Sequence, residues 1–320
     1  MKFLVTGAAG FIGSSLVDRL LELGHAVVGY DNFSTGQQAF TEKAKAFPNY
    51  CLVRSDLLDR KSLSAAMMGT DFVFHLAANA DVRFGPQHTG RDLEQNTVVT
   101  WHVLEAMREC SVKSIAFSST GSVYGEPDVF PTPETCPFPV QTSLYGASKV
   151  AAEALIQAYS VAFEMRAYVF RFVSILGERY SHGHVFDFYK QLLEHPEVLH
   201  VLGNGKQKKS YLYVQDCIDA MLLAIHKATA RVNIFNLGTD EYCEVNESIR
   251  WICEYLDLKP ALKYAGGERG WIGDSPFIFL DCSRIRAMGW SPKLRIRPAV
   301  ERTVEFLKGQ PWLLRSRVAQ

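Results

Sequence analysis

Residues 2–13 read KFLVTGAAGFIG, and this stretch decides the fold of the 320-residue chain. The apolar run Lys2–Val5 predicts a β-strand, and the helical spacing of the apolar residues in Phe11–Leu23 predicts an α-helix after it. Between the two, glycines recur in the pattern GxxGxxG at Gly7, Gly10 and Gly13. Such glycines permit a tight turn, a close approach of backbone to a pyrophosphate, and close packing of helix on strand. Because a helix N-terminus favours negative charge, the stretch predicts a dinucleotide site.

The alternation of strands and helices continues through the first half of the chain. Further strands are predicted at Ala26–Tyr30, Leu52–Val53, Phe72–His75 and Ser114–Phe117. Helices are predicted at Lys61–Met68, Leu93–Cys110 and Ser143–Phe163, the last of them capped by the Ser143 hydroxyl. Parallel strands need crossover connections, so this order predicts an α/β protein with a doubly wound parallel sheet of the Rossmann kind.

After Phe172 the pattern changes to longer loops with Gly, His and aromatic residues between short helices. We therefore predict a dinucleotide-binding domain over residues 1–172, to which the chain returns around residues 211–238. Residues 173–320 are predicted to form mainly a smaller, mixed α/β substrate-binding region.

Asp31 stands at the end of the second predicted strand, where a carboxylate meets the adenosine ribose hydroxyls of a bound dinucleotide. An acidic group at this place repels a 2′-phosphate. The cofactor is therefore predicted to be NAD and not NADP. The alternative, a turn or cap residue beside Asn32 and Ser34, is less consistent with the strand, glycines and helix that precede it.

The overall composition excludes several classes of partner. With 34 basic and 34 acidic residues, the chain has no net charge that would draw it to nucleic acid or to an anionic membrane. No apolar stretch approaches the roughly 18–20 residues of a membrane span. The seven cysteines show no CxxC spacing and cannot all pair, which favours a reducing compartment and a cytoplasmic protein. His182-Gly183-His184 lacks an acidic or cysteine partner at ligand spacing, so no metal is predicted.

A tyrosine and a lysine with helical spacing follow the fifth strand. In YGASK, Tyr145 and Lys149 lie four residues apart and hence on one helix face, where an ammonium group can lower the pKa of a phenol towards that of a general base. Tyr255 and Lys259 repeat the spacing, but that pair runs into Pro260 and lies far from the cofactor signal. Tyr145 is favoured because it follows a strand at whose carboxyl end a doubly wound sheet binds ligands.

Several motifs together resemble the extended short-chain dehydrogenases, and most of all the UDP-glucose (UDP-galactose) 4-epimerase family. The motifs are TGAAGFIGS from Thr6, Asp31, HLAAN from His75, SSTGSVYG from Ser118, YGASK from Tyr145 and GNGKQKKSYLYVQD from Gly203. This resemblance covers nearly the whole chain. It implies Tyr145 as the base, Lys149 as its activator and a ribose ligand, and Thr120 as the hydroxyl partner of the reacting oxygen.

The resemblance also implies where the cofactor and the substrate are bound. The implied NAD-binding residues are Gly7, Gly10, Phe11, Ile12, Gly13, Asp31, Asn32, Ser34, Thr35, Gly36, Asp56, Leu57, Leu76, Ala77, Ala78, Asn96, Ser118, Tyr145 and Lys149. The implied substrate-binding residues are Thr120, Ser174, His184, Val185, Lys209, Tyr211, Arg269 and Asp274. Three of these positions depart from the family pattern. Lys209 stands where arginine is usual, Ser174 where asparagine is usual, and the spacing from Arg269 to Asp274 is longer.

Within the family, the residues after Thr120 indicate which of the family's reactions the protein catalyses. Gly121-Ser122 replaces the Asp-Glu pair of the sugar 4,6-dehydratases, and neither the glutamate of the decarboxylases nor the cysteine of the 3,5-epimerases is present. What remains suffices to take a proton and a hydride from one carbinol and to return them. We therefore predict an NAD-dependent epimerase that acts on UDP-glucose and UDP-galactose at C4.

Other functions are also consistent with the sequence. They are a nucleotide-sugar ketoreductase, an epimerase acting on an N-acetylhexosamine, on a uronate or at C2, and a non-catalytic NAD-sensing scaffold. Arg83 occurs in several sugar-specific subgroups and does not decide between them. The resemblance further implies a homodimer formed through the helices Leu93–Cys110 and Ser143–Phe163.

Overall fold

The computed structural model of the chain describes residues 1–79, 85–138 and 140–315. Within these residues the strands are β1 (Lys2–Thr6), β2 (Ala26–Asp31), β3 (Tyr50–Arg54), β4 (Phe72–His75), β5 (Ser114–Thr120), β6 (Arg166–Phe172), β7 (Ser174–Leu176), β8 (Val198–Val201), β9 (Lys208–Lys209), β10 (Tyr211–Tyr213), β11 (Val232–Leu237), β12 (Cys243–Glu244), β13 (Ala261–Tyr264) and β14 (Phe277–Ile278).

The helices flank these strands. They are α1 (Phe11–Glu22), α2 (Glu42–Lys45), α3 (Arg60–Met67), α4 (Thr89–Asp92), α5 (Val99–Glu109), α6 (Leu144–Ala162), α7 (His184–Glu194), α8 (Val214–Lys227), α9 (Val245–Leu256), α10 (Ser283–Arg286), α11 (Ile296–Lys308) and α12 (Pro311–Arg315). A π-helical segment, Leu93–Val98, joins α4 to α5, and 3₁₀ turns lie at Gln38–Thr41 and Gly121–Tyr124. None of the helices in the described residues is long and apolar enough to cross a membrane.

Seven parallel strands form the central sheet in the order β11-β6-β5-β4-β1-β2-β3. The predicted doubly wound parallel sheet is therefore confirmed. The order of the strands reverses between β1 and β4, because β2 and β3 lie on one side of β1 and β4 lies on the other. Ligands bind at the carboxyl ends of the strands at such a switch point. The pairing register sets Thr6 beside His75 at this edge.

Both faces of the sheet are covered, which is why its strands read as nearly continuous apolar runs. Leu4, Val73 and Ile115 point into the apolar cluster on one face. Val5 and Phe74 point into the cluster on the other face. This second cluster does not end at the sheet, because it also contains Leu192, Leu212 and Val300 from the later part of the chain.

Two strands depart from the sequence-based expectation. β6 was not predicted, because Arg166 and Arg171 interrupt its apolar pattern; Arg171 is only 2% exposed and pairs with a buried carboxylate. Tyr211–Tyr213 is a strand, but it pairs with β7 in a separate two-stranded sheet. Val232–Leu237 is the edge strand of the central sheet beside β6. The division of the chain at residue 172 stays a prediction.

The later part of the chain also holds two other small sheets. β9 pairs with β12 and β14, and β8 pairs with β13. The β9 pairing brings Lys209 level with Ile278, close to the carboxyl edge of the central sheet.

Candidate active site

The turn between β1 and α1 is built on glycines. Gly7 has a φ of +71°, and a Cβ there would lie 2.9 Å from the backbone nitrogen of Ala77. A Cβ on Gly13 would lie 2.0 Å from the carbonyl oxygen of Gly7, so the helix packs directly on the turn. On Gly10, a Cβ would meet that same oxygen at 3.2 Å and otherwise open space. Glycine at this position avoids that tight contact, and the open space on its other side fits the approach of a phosphate.

Helix α1 presents its N-terminus to this space. It begins at Phe11, and its N-cap Gly10 supplies no side-chain acceptor for the first N–H groups. These groups and the positive end of the helix dipole suit an anion. Phe11 is itself buried, with its ring edge-on to Tyr180 at 5.6 Å, and Ile12 packs beside the apolar core.

Asp31 lies against the glycine turn at the end of β2. Its Oδ2 accepts from the backbone nitrogen of Ala9 at 2.9 Å, and its Oδ1 accepts from that of Phe33 at 2.7 Å. A Cβ on Gly36 would lie 2.7 Å from Oδ1, so only glycine lets the chain pass this carboxylate so closely. Burial raises the pKa of Asp31, and the two backbone hydrogen bonds lower it in part.

A second group of predicted cofactor residues follows β2 and β3. Asn32 Nδ2 donates to Asp56 Oδ2 at 2.7 Å, and the backbone nitrogen of Ser34 donates to Asn32 Oδ1 at 2.9 Å. Leu57 is buried next to Asp56, whereas Ser34 and Thr35 are exposed. The structure thus brings Asn32 and Asp56 together next to Asp31, at the far end of the edge from Tyr145.

A chain of buried hydrogen bonds holds the backbone that follows β4. Thr6 Oγ1 accepts from the backbone nitrogens of Leu76 at 3.1 Å and Ala77 at 3.2 Å, and lies 2.8 Å from Nδ1 of His75. His75 Nε2 lies 3.0 Å from Thr100 Oγ1. Because both Thr6 lone pairs are occupied, its hydrogen goes to Nδ1, and His75 carries its own proton on Nε2. Leu76 and Ala77 of the predicted segment are therefore held in place by the Thr6 side chain.

Asn96 lies in the π-helical segment and is 1% exposed. Its Oδ1 accepts from the backbone nitrogen of Asn79 at 2.9 Å, and its Nδ2 donates to Ser148 Oγ at 2.9 Å. Asn79 Nδ2 in turn donates to Asp92 Oδ1 at 2.8 Å. π-Helical turns are rare and often occur at functional sites. Here the turn joins the segment after β4 to helix α6, one residue before Lys149.

Helix α6 and strand β5 carry the predicted reacting groups. Ser143 caps α6, as predicted, by accepting from the backbone nitrogen of Gly146 at 3.0 Å. The Tyr145 phenol lies beside the Thr120 side chain at the end of β5, where a hydrogen bond with the Thr120 hydroxyl lowers the pKa of the phenol. Lys149 is 1% exposed, and its Nζ donates to the carbonyl oxygen of Ser118 at 2.9 Å. Tyr145, Thr120, Lys149 and Ser118 therefore meet at one place.

The electrostatics of this group differ from the expectation. Burial raises the pKa of Tyr145 to about 12; the hydrogen bond with Thr120 lowers this pKa in part, and the charge of Asp92 raises it. Burial lowers the pKa of Lys149 to about 7, against the opposing charges of Glu153 and Asp92. We predicted a lowered phenol pKa, but in the protein alone burial outweighs any help from the neighbouring ammonium group.

A buried ion pair that the sequence analysis missed lies behind this group. Glu153, one helical turn beyond Lys149, accepts from Arg171 Nη2 at 2.7 Å and from its Nε at 3.1 Å, and both side chains are almost fully buried. Glu153 also accepts from the hydroxyl of Ser119, between Ser118 and Thr120. The pair therefore ties α6 to β5. The available signals were a lone arginine in an apolar run and a carboxylate on the helix face of Tyr145 and Lys149.

Four charged side chains meet on the predicted substrate side. Lys209 Nζ donates to Asp274 Oδ1 at 2.7 Å, and Asp274 is 3% exposed. Arg269 Nη1 donates to the carbonyl oxygen of Asp274 at 2.7 Å, and its Nη2 donates to Glu126 Oε2 at 2.9 Å. The structure thus brings Lys209, Arg269 and Asp274 together despite the long spacing between the last two. Glu126 is a partner that the sequence analysis did not identify.

The remaining predicted substrate residues lie next to this group. The parallel pairing of β7 with β10 sets the exposed Ser174 beside Tyr211. His184 has its ring centroid 4.7 Å from that of Tyr211, and its Nε2 lies 2.8 Å from Ser248 Oγ. Burial, and next the charge of Lys209, lower the pKa of His184 to about 3. Val185 is fully buried beneath them.

Two other sequence features lie elsewhere. Helix α9 ends at Leu256, so Lys259 is not on the same helix as Tyr255, whose hydroxyl donates to Glu305 Oε2 at 2.6 Å. His182 stacks on Tyr180 with ring centroids 6.1 Å apart.

Across residues 1–79, 85–138 and 140–315, no three His, Cys, Asp or Glu side chains are grouped to hold a metal ion. Arg83 is outside the described residues.

Comparisons with known proteins agree with this geometry. The UDP-glucose 4-epimerase of Mycolicibacterium smegmatis is 31% identical over 316 residues, which cover 97% of this chain and 99% of that one. A crystal structure of a UDP-galactose 4-epimerase matches with a TM-score of 0.87 at 35% identity, covering 98% of this chain and 100% of the other.

A third likeness is more distant in sequence. The UDP-glucuronic acid 4-epimerase of Bacillus cereus, crystallised with UDP-glucuronic acid and NAD, matches with a TM-score of 0.88 at 27% identity, covering 97% of this chain and 99% of that one. The glycine turn, the α1 N-terminus and Asp31 fit the NAD that this relative holds.

A family model described as NAD dependent epimerase/dehydratase matches residues 3–238. This match and the relatives above confirm the NAD cofactor and a nucleotide-sugar epimerase. The chain belongs to the NAD dependent epimerase/dehydratase family.

Proposed function

We propose that this protein interconverts UDP-glucose and UDP-galactose by inverting C4 of the sugar. The observation that carries the proposal is the position of Tyr145 beside Thr120 and the buried Lys149, whose Nζ is held by the Ser118 carbonyl oxygen at the carboxyl edge of the sheet. The substrates of the two relatives named for UDP-glucose and UDP-galactose support the choice of sugar.

The reacting groups divide the work as follows. The oxygen of Tyr145 takes the proton of the C4 hydroxyl group, and the Thr120 hydroxyl donates a hydrogen bond to the oxygen that becomes a carbonyl. NAD held at the glycine turn would supply the acceptor for the C4 hydride and the donor that restores it. After the 4-keto sugar has turned in the pocket, Tyr145 gives the proton back to the carbonyl oxygen. Since β5 and α6 hold these two side chains, Tyr145 and Thr120 keep their positions between the two half-reactions.

Lys149 acts on Tyr145 and on the cofactor side. Its Nζ is held by the Ser118 carbonyl oxygen 2.9 Å away and lies 4.6 Å above the Phe117 ring. An ammonium held here favours the phenolate over the phenol, which opposes the effect of burial on Tyr145. We assign Asp31 to the adenosine ribose, the α1 N-terminus to the pyrophosphate, and Asn32, Asp56 and Leu57 to the adenine end.

The charged group on the substrate side is assigned to the nucleotide. Lys209 and Arg269 are the cations for the diphosphate, and Asp274 is the carboxylate for the uridine ribose. Because Lys209 and Arg269 already hold Asp274 and Glu126, the diphosphate has to share or replace these partners as it binds. We assign the sugar pocket to Ser174, Tyr211 and His184.

A panel of nucleotide sugars tests the proposal. The purified protein is incubated with UDP-galactose, UDP-N-acetylgalactosamine and UDP-galacturonate, and the epimers are followed by NMR. We expect UDP-galactose to turn over fastest. Faster turnover of the uronate, the substrate class of the Bacillus cereus relative, would change the proposed sugar but not the proposed epimerase reaction.

Tyr145→Phe tests the mechanism in the same assay. We expect turnover to fall by at least about 10³-fold, since the variant loses the group that moves the proton, while NAD stays bound through gel filtration. Activity within tenfold of the wild type would remove Tyr145 from the proposed role.

We also propose a homodimer, formed through α5 and α6, and a cytoplasmic location. Trp101 on α5 is 38% exposed, and Val161 at the end of α6 is 65% exposed, so both helices present apolar side chains that a partner subunit could cover. The seven cysteines are all free thiols, as a reducing compartment requires. Light scattering at micromolar concentration checks the dimer, and a monomeric mass would rule it out.

A further inference from the structure

Thr120 has a second hydroxyl neighbour besides Tyr145. It is the N-cap of the 3₁₀ turn Gly121–Tyr124, and its Oγ1 accepts from the backbone nitrogen of Ser122 at 3.1 Å. The Thr120 hydroxyl donates to Ser122 Oγ at 3.2 Å. The side chains of Tyr145, Thr120 and Ser122 therefore form one row of hydroxyl groups.

A count of donors and acceptors shows how this row is ordered. A threonine hydroxyl has one hydrogen and two lone pairs. With its hydrogen on Ser122 and one lone pair on the Ser122 N–H, Thr120 has one lone pair left. A neutral Tyr145 beside it can therefore only donate to Thr120. Every hydrogen and lone pair of Thr120 then has a partner as long as Tyr145 is a neutral phenol. Once Tyr145 is a phenolate, the Thr120 hydrogen has to turn from Ser122 towards it.

The position of Ser122 is fixed by its backbone. A Cβ on Gly146, the residue after Tyr145, would lie 2.9 Å from the carbonyl oxygen of Ser122. The next carbonyl, that of Val123, accepts from Gln141 Nε2 at 2.8 Å. The 3₁₀ turn is thus packed directly against the first turn of α6, and the Ser122 hydroxyl remains within reach of Thr120.

We propose that Ser122 is a positioning residue: in the enzyme without substrate it holds the Thr120 hydrogen while Tyr145 carries its proton, and it releases that hydrogen to Tyr145 when the proton has left. No covalent bond changes in this step, since only the Thr120 hydroxyl rotates. Ser122 therefore favours the neutral phenol and sets the pH above which Tyr145 works as a base. This inference rests on the proposed role of Tyr145.

The charges around Tyr145 are separate from this effect. Asp92, on α4, raises the pKa of Tyr145, whereas Lys149, one turn along α6, carries the opposite charge. Glu153 lies one turn further along α6 and is neutralised by Arg171 on β6. Removing the Ser122 hydroxyl leaves all four groups in place, so a change in the pH profile reports on the Thr120 hydrogen.

The test is the pH dependence of kcat/KM for UDP-galactose, measured on NAD-loaded Ser122→Ala. Without its acceptor, the Thr120 hydrogen turns to Tyr145 in both protonation states, so the acid limb of the profile moves to lower pH by about half to one unit. At pH values below the limb the variant is then about three- to tenfold faster than the wild type. Ser64→Ala, on α3 far from the site, is the matched control and should leave the profile unchanged.

A second background separates positioning from a general structural role. In Thr120→Val the hydrogen that Ser122 holds is absent, so adding Ser122→Ala should move the acid limb no further. Ser122→Cys keeps a weaker acceptor of similar size and should give a smaller shift than alanine, which also covers the case in which alanine fails to fold. An unchanged limb in Ser122→Ala, or the same shift in both backgrounds, would overturn the inference. Failure of the proposed function is a different result, namely an active Tyr145→Phe.

Discussion

The cofactor end and the substrate end of the site are held by different forces. At the cofactor end the contacts are backbone hydrogen bonds to Asp31 and Thr6 and glycines packed against carbonyl oxygens. At the substrate end they are ion pairs among Lys209, Asp274 and Arg269, extended to the partly exposed Glu126. The first end is set by the fold before any ligand binds, whereas the second must exchange partners when a diphosphate arrives. The two ends should therefore respond differently to mutation, salt and pH.

The largest effect is expected at the cofactor end, from Gly13→Ala. The added Cβ would lie 2.0 Å from the Gly7 carbonyl oxygen, a backbone atom that cannot move aside without shifting α1. We expect the purified variant to have lost its NAD and to melt at a lower temperature. Gly90→Ala is the control, because a Cβ there meets nothing within 4 Å. A Gly13→Ala protein that keeps NAD through gel filtration would show that this end is less fixed than we infer.

At the substrate end, Lys209→Met is expected to act on KM. The variant loses the cation that we propose for the diphosphate and leaves the buried Asp274 without its ion pair, so KM for the nucleotide sugar should rise at least about tenfold. NAD content should stay at the wild-type level, and Lys209→Arg should restore KM because it keeps the charge. Equal loss of NAD and of substrate affinity would mean that the two ends are not independent.

The pH dependence of the unfolding free energy tests one buried histidine at each end, His75 at the cofactor end and His184 at the substrate end. Burial and the Lys149 charge lower the pKa of His75 to about 3, and burial and the Lys209 charge do the same for His184. The unfolded chain binds these protons near pH 6.5 and the folded protein does not, so stability is full above that pH and falls as the pH decreases towards 3. For His75 the loss at pH 5 is about 2 kcal/mol.

Urea unfolding at pH 7 and pH 5 measures this loss. In Lys209→Met the loss should stay nearly the same, because burial, the larger cause, still keeps the pKa of His184 well below 5. A wild-type unfolding free energy that does not change between the two pH values would contradict the buried, neutral state of both rings.

The smallest effect is expected from Glu126→Gln. Glu126 and Arg269 have side chains 42% and 43% exposed, so the ion pair itself adds at most about 1 kcal/mol of stability. Freeing Arg269 should lower KM by about two- to threefold at low ionic strength, and less at high salt, where the ion pair is already screened. Asp128→Asn serves as the nearby control for loss of one negative charge. A rise in KM would show that Glu126 orients Arg269 for the diphosphate and does not compete with it.

The same contrast explains which parts of the molecule the sequence predicts. The β1 strand, the glycine turn, the Ser143 cap and the Tyr145–Lys149 spacing all depend on residues within a few positions of one another. The pairs Glu153 with Arg171 and Arg269 with Glu126 join residues 18 and 143 positions apart, and only the fold brings them together. β6 was missed for the same reason, because its buried arginine makes sense only beside Glu153. The raised pKa of Tyr145 likewise follows from burial, which no spacing reveals.

The apolar cluster that runs from the central sheet into the later part of the chain limits how the protein can open. Leu16 from α1, Phe170 from β6, Leu192 from α7 and Val300 from α11 belong to this one cluster. A hinged separation of the two parts would bring these side chains into water, at a cost that grows with every exposed methylene group. We therefore expect a nucleotide sugar to enter past surface loops, such as the one between β13 and β14 that carries Arg269 and Asp274, and not by separation of the two parts.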